Sequence, residues 1–242
     1  MIDEGFRERL DEAAVLLDFD GTLAPIVARP EEARPLPDAA EVLASLVRRT
    51  RAVWIVTGRP SATIDQLLGP VEGVRVAGLY GFEDLPPLSR DVLADVAAIA
   101  ASVAGAHVEP KGASVAVHFR NADDPDAAGA ALRPALAALA GARGLRVLAG
   151  KRVWELAPAH AGGKGDAVAG ILTELAPGAV LYAGDDVADL EAFAAVDRYA
   201  DAASVLVRKV AVLGDETPGA LREAADVVVE GPVGLLRLLR GL

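Results

Sequence analysis

At 242 residues the chain has room for one large domain or two small ones. A net charge of −11 argues against nucleic acid as a partner, and it repels phosphate esters at long range, so an anionic substrate needs positive groups focused locally. Hydrophobic residues make up 52%, enough for a sizeable core, yet no apolar stretch reaches the length of a membrane span. The absence of cysteine excludes disulfides and thiolate chemistry and fits a reducing cytoplasm.

The first segment, Met1 to Arg7, is acidic and has no secretory pattern. Ala13 to Leu17 is an unbroken apolar run, which predicts a strand buried on both faces of a parallel sheet. It stops at Asp18-Phe19-Asp20-Gly21-Thr22-Leu23, where Gly21 lets the chain turn. A Pro-rich loop, Pro25 to Pro37, leads into a helix in which Val42, Leu43, Leu46 and Val47 recur at helical spacing. Ala52 to Val56 is a second buried strand, ending at Thr57-Gly58-Arg59. A short helix (Ile64, Leu67, Leu68) and a strand (Val74 to Ala77) follow, and the strand runs into Gly78-Leu79-Tyr80-Gly81.

The pattern changes near Asp84-Leu85-Pro86-Pro87, which reads as a linker. From Leu88 to Pro158 the order becomes helix, strand, strand, helix, strand, strand. Ser114 to Arg120 alternates, with Val115, Val117 and Phe119 on one face and Ser114, Ala116, His118 and Arg120 on the other. Such a strand suits an antiparallel sheet with one open face. Leu145 to Ala149 and Arg152 to Leu156 read as a hairpin around Gly150-Lys151. After Pro158-Ala159-His160-Ala161-Gly162-Gly163 the α/β alternation resumes. A helix carries Val168, Ile171, Leu172 and Leu175, and a buried strand, Val180 to Ala183, ends at Gly184-Asp185-Asp186. Two more strands (Val210 to Leu213, Asp226 to Val229) and a helix with Leu235, Leu236 and Leu239 complete the chain. The expected fold is therefore α/β: a Rossmann-like parallel-sheet core from 1–84 and 159–242, with an inserted α+β cap at 85–158. Hinges are expected at the two linkers.

Asp18 with Asp20, Thr57, and Asp185 with Asp186 and Asp189 all follow buried strands. In a parallel sheet they gather at one edge, where open α/β sheets bind ligands. Lys164 joins them from the start of a helix. Two carboxylates about 4 Å apart repel by roughly 4 kcal/mol at an effective dielectric of about 20, and a divalent cation reverses that sign. All-oxygen ligands favour Mg²⁺ together with a substrate phosphate oxygen. Such a site suits phosphoryl transfer. Asp18 serves as nucleophile and Asp20 as acid and then base. Thr57, adjacent backbone N–H groups and Lys164 hold and neutralise phosphoryl oxygens.

These motifs, in this order, resemble those of the haloacid dehalogenase superfamily of aspartate-nucleophile phosphatases. Asp18 to Leu23 matches the first motif, Thr57-Gly58-Arg59 the second, Lys164 the third, and Gly184-Asp185-Asp186-Val187-Ala188-Asp189 the fourth. The inserted block matches that superfamily's cap. Within it the chain is most similar to the trehalose-6-phosphate phosphatase family, over nearly its whole length. The first motif extends through Ala24-Pro25-Ile26-Val27. Glu109-Pro110-Lys111, His118-Phe119-Arg120, Val153-Trp154-Glu155-Leu156 and Gly163-Lys164-Gly165 resemble that family's further signatures.

The resemblance implies a Mg²⁺-dependent hydrolase acting on trehalose 6-phosphate through an aspartyl phosphate. Asp18, Asp20 and Asp185 are the expected metal residues, with Asp186 and Asp189 behind them. Gly58 and Arg59 are expected to bind substrate, and Lys111, His118, Arg120 and Glu155 to contact sugar or phosphate from the cap. For Glu155, a salt bridge to Lys111 or Arg152 is the simpler alternative. The chain departs from the family at Tyr80, where a His is usual, at Ala188, where a Thr is, and at Leu190, where an acid is. The expected partner is one small sugar phosphate and the chain a cytoplasmic monomer. Alternatives are another sugar-phosphate phosphatase of this superfamily, or a phosphosugar mutase or transferase with the same nucleophile.

Overall fold

In chain order the computed structural model runs α1 (Glu4–Arg7), β1 (Ala13–Leu17), α2 (Ala39–Val47), β2 (Ala52–Val56), α3 (Ser61–Leu68) and β3 (Val74–Ala77). Next come α4 (Arg90–Ala100), β4 (His107–Pro110), β5 (Val115–His118), α5 (Pro125–Arg143), β6 (Leu145–Gly150) and β7 (Val153–Pro158). The remainder is α6 (Lys164–Leu175), β8 (Ala179–Gly184), α7 (Val187–Ala203), β9 (Leu206–Leu213), α8 (Gly219–Ala224), β10 (Val227–Glu230) and α9 (Gly231–Arg240). The structure describes residues 2–81, 83, 85–159 and 162–242. Of the two expected hinges, Asp84, His160 and Ala161 lie outside the described residues. Among those described, no helix is long and apolar enough to cross a membrane.

The chain divides into two compact units, one formed by residues 1–80 and 163–242, the other by 81–162. The first holds a six-stranded sheet in the order β10-β9-β8-β1-β2-β3. All its pairings are parallel. Strand β1 is central, and every one of its residues is buried. Alternate residues feed opposite layers, as a pleated strand requires. Ala13, Val15 and Leu17 pack with Val42, Leu43 and Leu46 of α2 and Leu235, Leu236 and Leu239 of α9. Ala14 and Leu16 pack with Val168, Ile171 and Leu172 of α6 and Phe193 and Val196 of α7. The order reverses at β1, whose neighbours β8 and β2 lie on opposite sides. That makes the carboxyl end of β1 the topological switch point, the position at which open α/β sheets bind ligands.

The second unit is a four-stranded antiparallel sheet in the order β4-β5-β7-β6. Val115, Val117 and Phe119 pack with Leu156 against Val92 and Val96 of α4 and Leu132 and Leu136 of α5. The register puts Glu109, Ala116 and Glu155 side by side across three strands, and His107 beside His118, on the opposite face.

Among the strands whose extent differs from the sequence pattern, two differ for a clear physical reason. The apolar run of β9 begins at Val210, but the strand begins at Leu206. Arg208 and Lys209 interrupt the hydrophobicity there without interrupting the ladder, because their charges turn to Asp3 and Asp197. Arg152, expected to open a strand, instead sits in the two-residue connection between Gly150 and Val153. It takes a positive φ of 61° there, a conformation no strand residue adopts.

Candidate active site

Strand β1 delivers Asp18 directly from its carboxyl end, where the Asp18 N–H donates to the Ala183 carbonyl of β8 at 2.9 Å. The chain then turns tightly, with Leu23 and Ala24 N–H both donating to the Phe19 carbonyl at 2.9 Å. Gly21 occupies a φ of +87°, and a Cβ there would lie 2.0 Å from Asp185 Oδ2. Only glycine lets the two strand ends come this close. Gly184 serves the same purpose from β8, since a Cβ there would lie 2.1 Å from Asp189 Cγ.

Three carboxylates converge. Asp18, Asp185 and Asp189, all buried, offer oxygens that lie within 4.8 Å of one another. Lys164, the first residue of α6, is 3% exposed and places its Nζ 2.7 Å from Asp18 Oδ1 and 2.7 Å from Asp189 Oδ1. Asp189 is fully subscribed. Its Oδ1 also accepts from the Tyr182 hydroxyl at 2.7 Å, and its Oδ2 accepts from the N–H groups of Asp185 and Asp186 at 2.8 Å each. Asp189 is thus the third residue of α7, returning to cap the helix entrance, while Asp186 is the N-cap itself. Asp185 accepts from the Thr22 hydroxyl at 3.3 Å.

Burial pushes the Asp18 carboxyl well above its usual range; Lys164 pulls it back, and Asp189 and Asp185 push again in the direction of burial. Burial also opposes the charge on Lys164, but Asp18 and then Asp189 outweigh it and hold the ammonium well above the usual lysine range. Burial, then Asp189, keep the Tyr182 hydroxyl protonated as a donor. The Asp18 direction comes first from burial and the Lys164 direction from its acidic neighbours, and at both a single ammonium stands among three buried carboxylates. The deficit is a positive charge, and a divalent cation held by Asp18 and Asp185 fits it, with Asp189 already committed to four donors.

The other expected residues fall into place around this cluster or apart from it. Thr57 is buried, and its hydroxyl accepts from the Arg59 N–H at 3.2 Å. Gly58 is pressed against Tyr80, whose hydroxyl would meet a Cβ there at 2.9 Å. The Asp20 carboxylate does not join the three-carboxylate cluster; it pairs with Arg59 instead, at 2.6 Å. In the second unit, Lys111 reaches Glu155 at 3.3 Å, and the buried Ser114 hydroxyl donates to Glu155 at 2.5 Å. Of the two simple partners considered for Glu155, Lys111 is therefore the one found. His118 Nε2 lies 2.8 Å from Glu109 Oε2, and Arg120 donates to the Lys151 carbonyl at 2.8 Å.

Several neighbours escape the sequence reading. Tyr182 reads as strand filler, although a buried tyrosine hydroxyl needs an acceptor and so hints at one. Tyr80, noted in the sequence only as a departure from a resemblance, places its ring centroid 5.9 Å from Lys164 Nζ. His107 stacks on His118 with ring centroids 4.6 Å apart. Arg146 buries Nε and Nη2 without a hydrogen-bond partner among the described residues. Alternation along β6 would have shown that it faces away from Leu145 and Val147, which pack on the helices.

Comparisons with known proteins follow the same lines. The trehalose-phosphatase family profile matches residues 16–226. An uncharacterized glycosyl hydrolase of Mycobacterium tuberculosis is 40% identical over 205 residues, 76% of this chain and 15% of that protein. The trehalose-phosphate phosphatase of the same organism is 36% identical over 204 residues, 75% of this chain and 51% of that protein. The chain thus spans about half the length of one relative and a small part of the other. The C-terminal domain of Candida albicans trehalose-6-phosphate phosphatase superimposes with a TM-score of 0.81, covering 98% of this chain and 95% of that one; at 20% identity this likeness concerns the fold.

Tyr182→Phe keeps the ring and deletes one donor to a buried carboxylate. It should cost about 1.5–3 kcal/mol of unfolding free energy, measured by urea denaturation. No change would mean that Asp189 does not depend on that hydroxyl.

Proposed function

The chain belongs to the trehalose-phosphatase family, and from that premise we propose that it is a phosphatase that hydrolyses trehalose 6-phosphate to trehalose and phosphate. The observation that carries the reading is the buried Lys164 ammonium shared between Asp18 and Asp189 at the end of the central strand. A buried cation beside a carboxylate nucleophile is what an incoming dianion needs in a chain of net charge −11.

Asp18 attacks phosphorus through one carboxylate oxygen. A P–O bond to Asp18 forms as the bond to the sugar oxygen breaks, and Asp20 gives that leaving oxygen a proton. Lys164, the Thr57 hydroxyl and backbone N–H groups of the Thr57-Gly58 turn hold the phosphoryl oxygens. Asp20 then takes a proton from water, whose oxygen attacks phosphorus, and the P–O bond to Asp18 breaks. The restored carboxylate and free phosphate complete the balance. Asp18 and Asp185 would hold Mg²⁺, which would supply the positive charge that three buried carboxylates and a phosphate require. Asp186 and Asp189 orient Asp185 through the cap of α7. In the second unit, Lys111, His118, Arg120 and Glu155 recognise the sugar; the linked side chains of Lys111, Glu155, Glu109 and His118 support this part. The absence of cysteine suits a cytoplasmic enzyme.

Phosphate release from a panel of sugar phosphates tests the reading. Trehalose 6-phosphate should turn over fastest, and Asp18→Asn should reduce release to background with the fold retained by circular dichroism. Equal or faster turnover of sucrose 6-phosphate or mannosyl phosphates would remove the trehalose assignment. Sugar isomerisation without free phosphate would instead show a mutase.

Mg²⁺ should also raise the unfolding temperature. The expected gain is about 2.7 kcal/mol at a hundredfold excess over the dissociation constant. Asp18 has a raised value in the cation-free fold, so its contribution is present below the ordinary carboxylate range and is lost as pH rises toward that raised value. The Mg²⁺ gain is accordingly larger at neutral pH than near pH 4, the ordinary aspartate range. A gain that survives intact in Asp185→Asn would place the ion elsewhere.

A further inference from the structure

Arg59 holds Asp20 with a fork. Its Nε donates to Asp20 Oδ2 at 2.6 Å and its Nη2 to Asp20 Oδ1 at 2.7 Å. Paired bonds of this kind fix both the distance and the plane of a carboxylate. The fork is itself fixed by groups other than Asp20. The same Nη2 donates to the Pro30 carbonyl at 2.8 Å, and the guanidinium carbon lies 5.7 Å from the centroid of the fully buried Phe19 ring. The Arg59 backbone is pinned as well, its N–H by the Thr57 hydroxyl at 3.2 Å and its carbonyl by the Leu79 N–H at 3.0 Å. Its side chain is 12% exposed, whereas that of Asp20 is 35% exposed.

These contacts describe a rigid cation anchored by the loop, the β1 turn and the end of β2, gripping the more open of the two paired acids. Asp18 has Lys164 to orient it. Asp20 stands two residues further on, past the β1 ladder, where only an isolated bridge to Ala24 holds the backbone. An acid–base group must stay within hydrogen-bond reach of the proton it moves, and small misplacements are costly. We propose that Arg59 is a positioning residue that acts on the reaction through Asp20, orienting its carboxylate as the base toward the attacking water, rather than a group that grips the substrate. The proposal rests on the phosphatase reading above. It reassigns a residue expected from sequence to bind substrate, since three of its five N–H donors, on Nε and Nη2, are already committed to Asp20 and Pro30. It also gives the Pro-rich loop a part in the chemistry, because Pro30 steadies the fork.

A double-mutant cycle tests the proposal. Arg59→Ala, Arg59→Lys, Asp20→Asn and the Arg59→Ala/Asp20→Asn double variant are assayed with Mg²⁺ on trehalose 6-phosphate. General acid–base catalysis contributes about 10²–10⁴-fold, so losing the orienter should lower kcat by about 10–10²-fold with KM within about threefold. Arg59→Lys keeps the charge but not the fork and should fall between Arg59→Ala and the wild type. In the Asp20→Asn background, removing Arg59 should cost less than about threefold more, because coupled residues do not add. Millimolar guanidinium should restore part of the kcat of Arg59→Ala and none in the double variant. Losses that multiply in the double variant, or a change confined to KM, would overturn the proposal while leaving the phosphatase reading intact. Full activity in Asp20→Asn, or no phosphatase activity in the wild type, would overturn the acid–base assignment or the reading itself, and the proposal with it.

Discussion

The ammonium of Lys164, buried between Asp18 and Asp189, is the contact on which the remaining geometry depends. Taking a lysine and a carboxylate out of water is costly, and the cost is recovered only when the charges are close and the remaining donors and acceptors are filled. That demand reaches through three elements. Strand β1 must end at Asp18, helix α6 must begin at Lys164, and α7 must bring Asp189 back across its own entrance. Tyr182, on β8, fills the last lone pair from below. The parallel sheet is what makes these positions neighbours, since the register aligns Leu17 of β1 with Ala183 of β8. Displacing any one of the three elements would leave a buried charge unpaired, a loss of several kcal/mol.

The site is balanced for a ligand rather than for rest. Four buried ionisable groups carry three acids and one base, and burial together with neighbouring acids keeps Asp18 high. Packing alone would favour fewer charges there. On the proposed reading a cation and a phosphate dianion would together change the sum, the cation offsetting the carboxylates and Lys164 facing the phosphate. Stability and function pull in opposite directions at this point, as they commonly do where strained or charged groups cluster. The fold, that of haloacid dehalogenase-like hydrolases, carries the tension by burying every residue of β1 on both faces.

Much of this was legible in the sequence, and for identifiable reasons. Fully apolar runs such as Ala13 to Leu17 mark buried parallel strands, and acids at their ends mark the carboxyl edge. The strict alternation of Val115, Val117 and Phe119 marks the antiparallel sheet with equal clarity. What escaped were pairings that need three dimensions. Spacing cannot reveal that Arg59 would take Asp20, because 39 residues and a strand separate them. Nor does it show that Asp189 would spend both oxygens on α7 and Lys164. Helix α7 is not legible either, because its alanines blur the apolar stripe. The early part of β9 was hidden by Arg208 and Lys209, whose charges find partners off the ladder.

The central claim is that phosphorus becomes bonded to Asp18. Borohydride reduces an acyl phosphate to an alcohol, so substrate-treated enzyme quenched with borohydride and mapped by peptide mass spectrometry reads the claim directly. The account predicts reduction at the Asp18 side chain, dependent on substrate and on Lys164. Turnover that continues with Asp18 unmodified, or reduction at a different carboxylate, would contradict it.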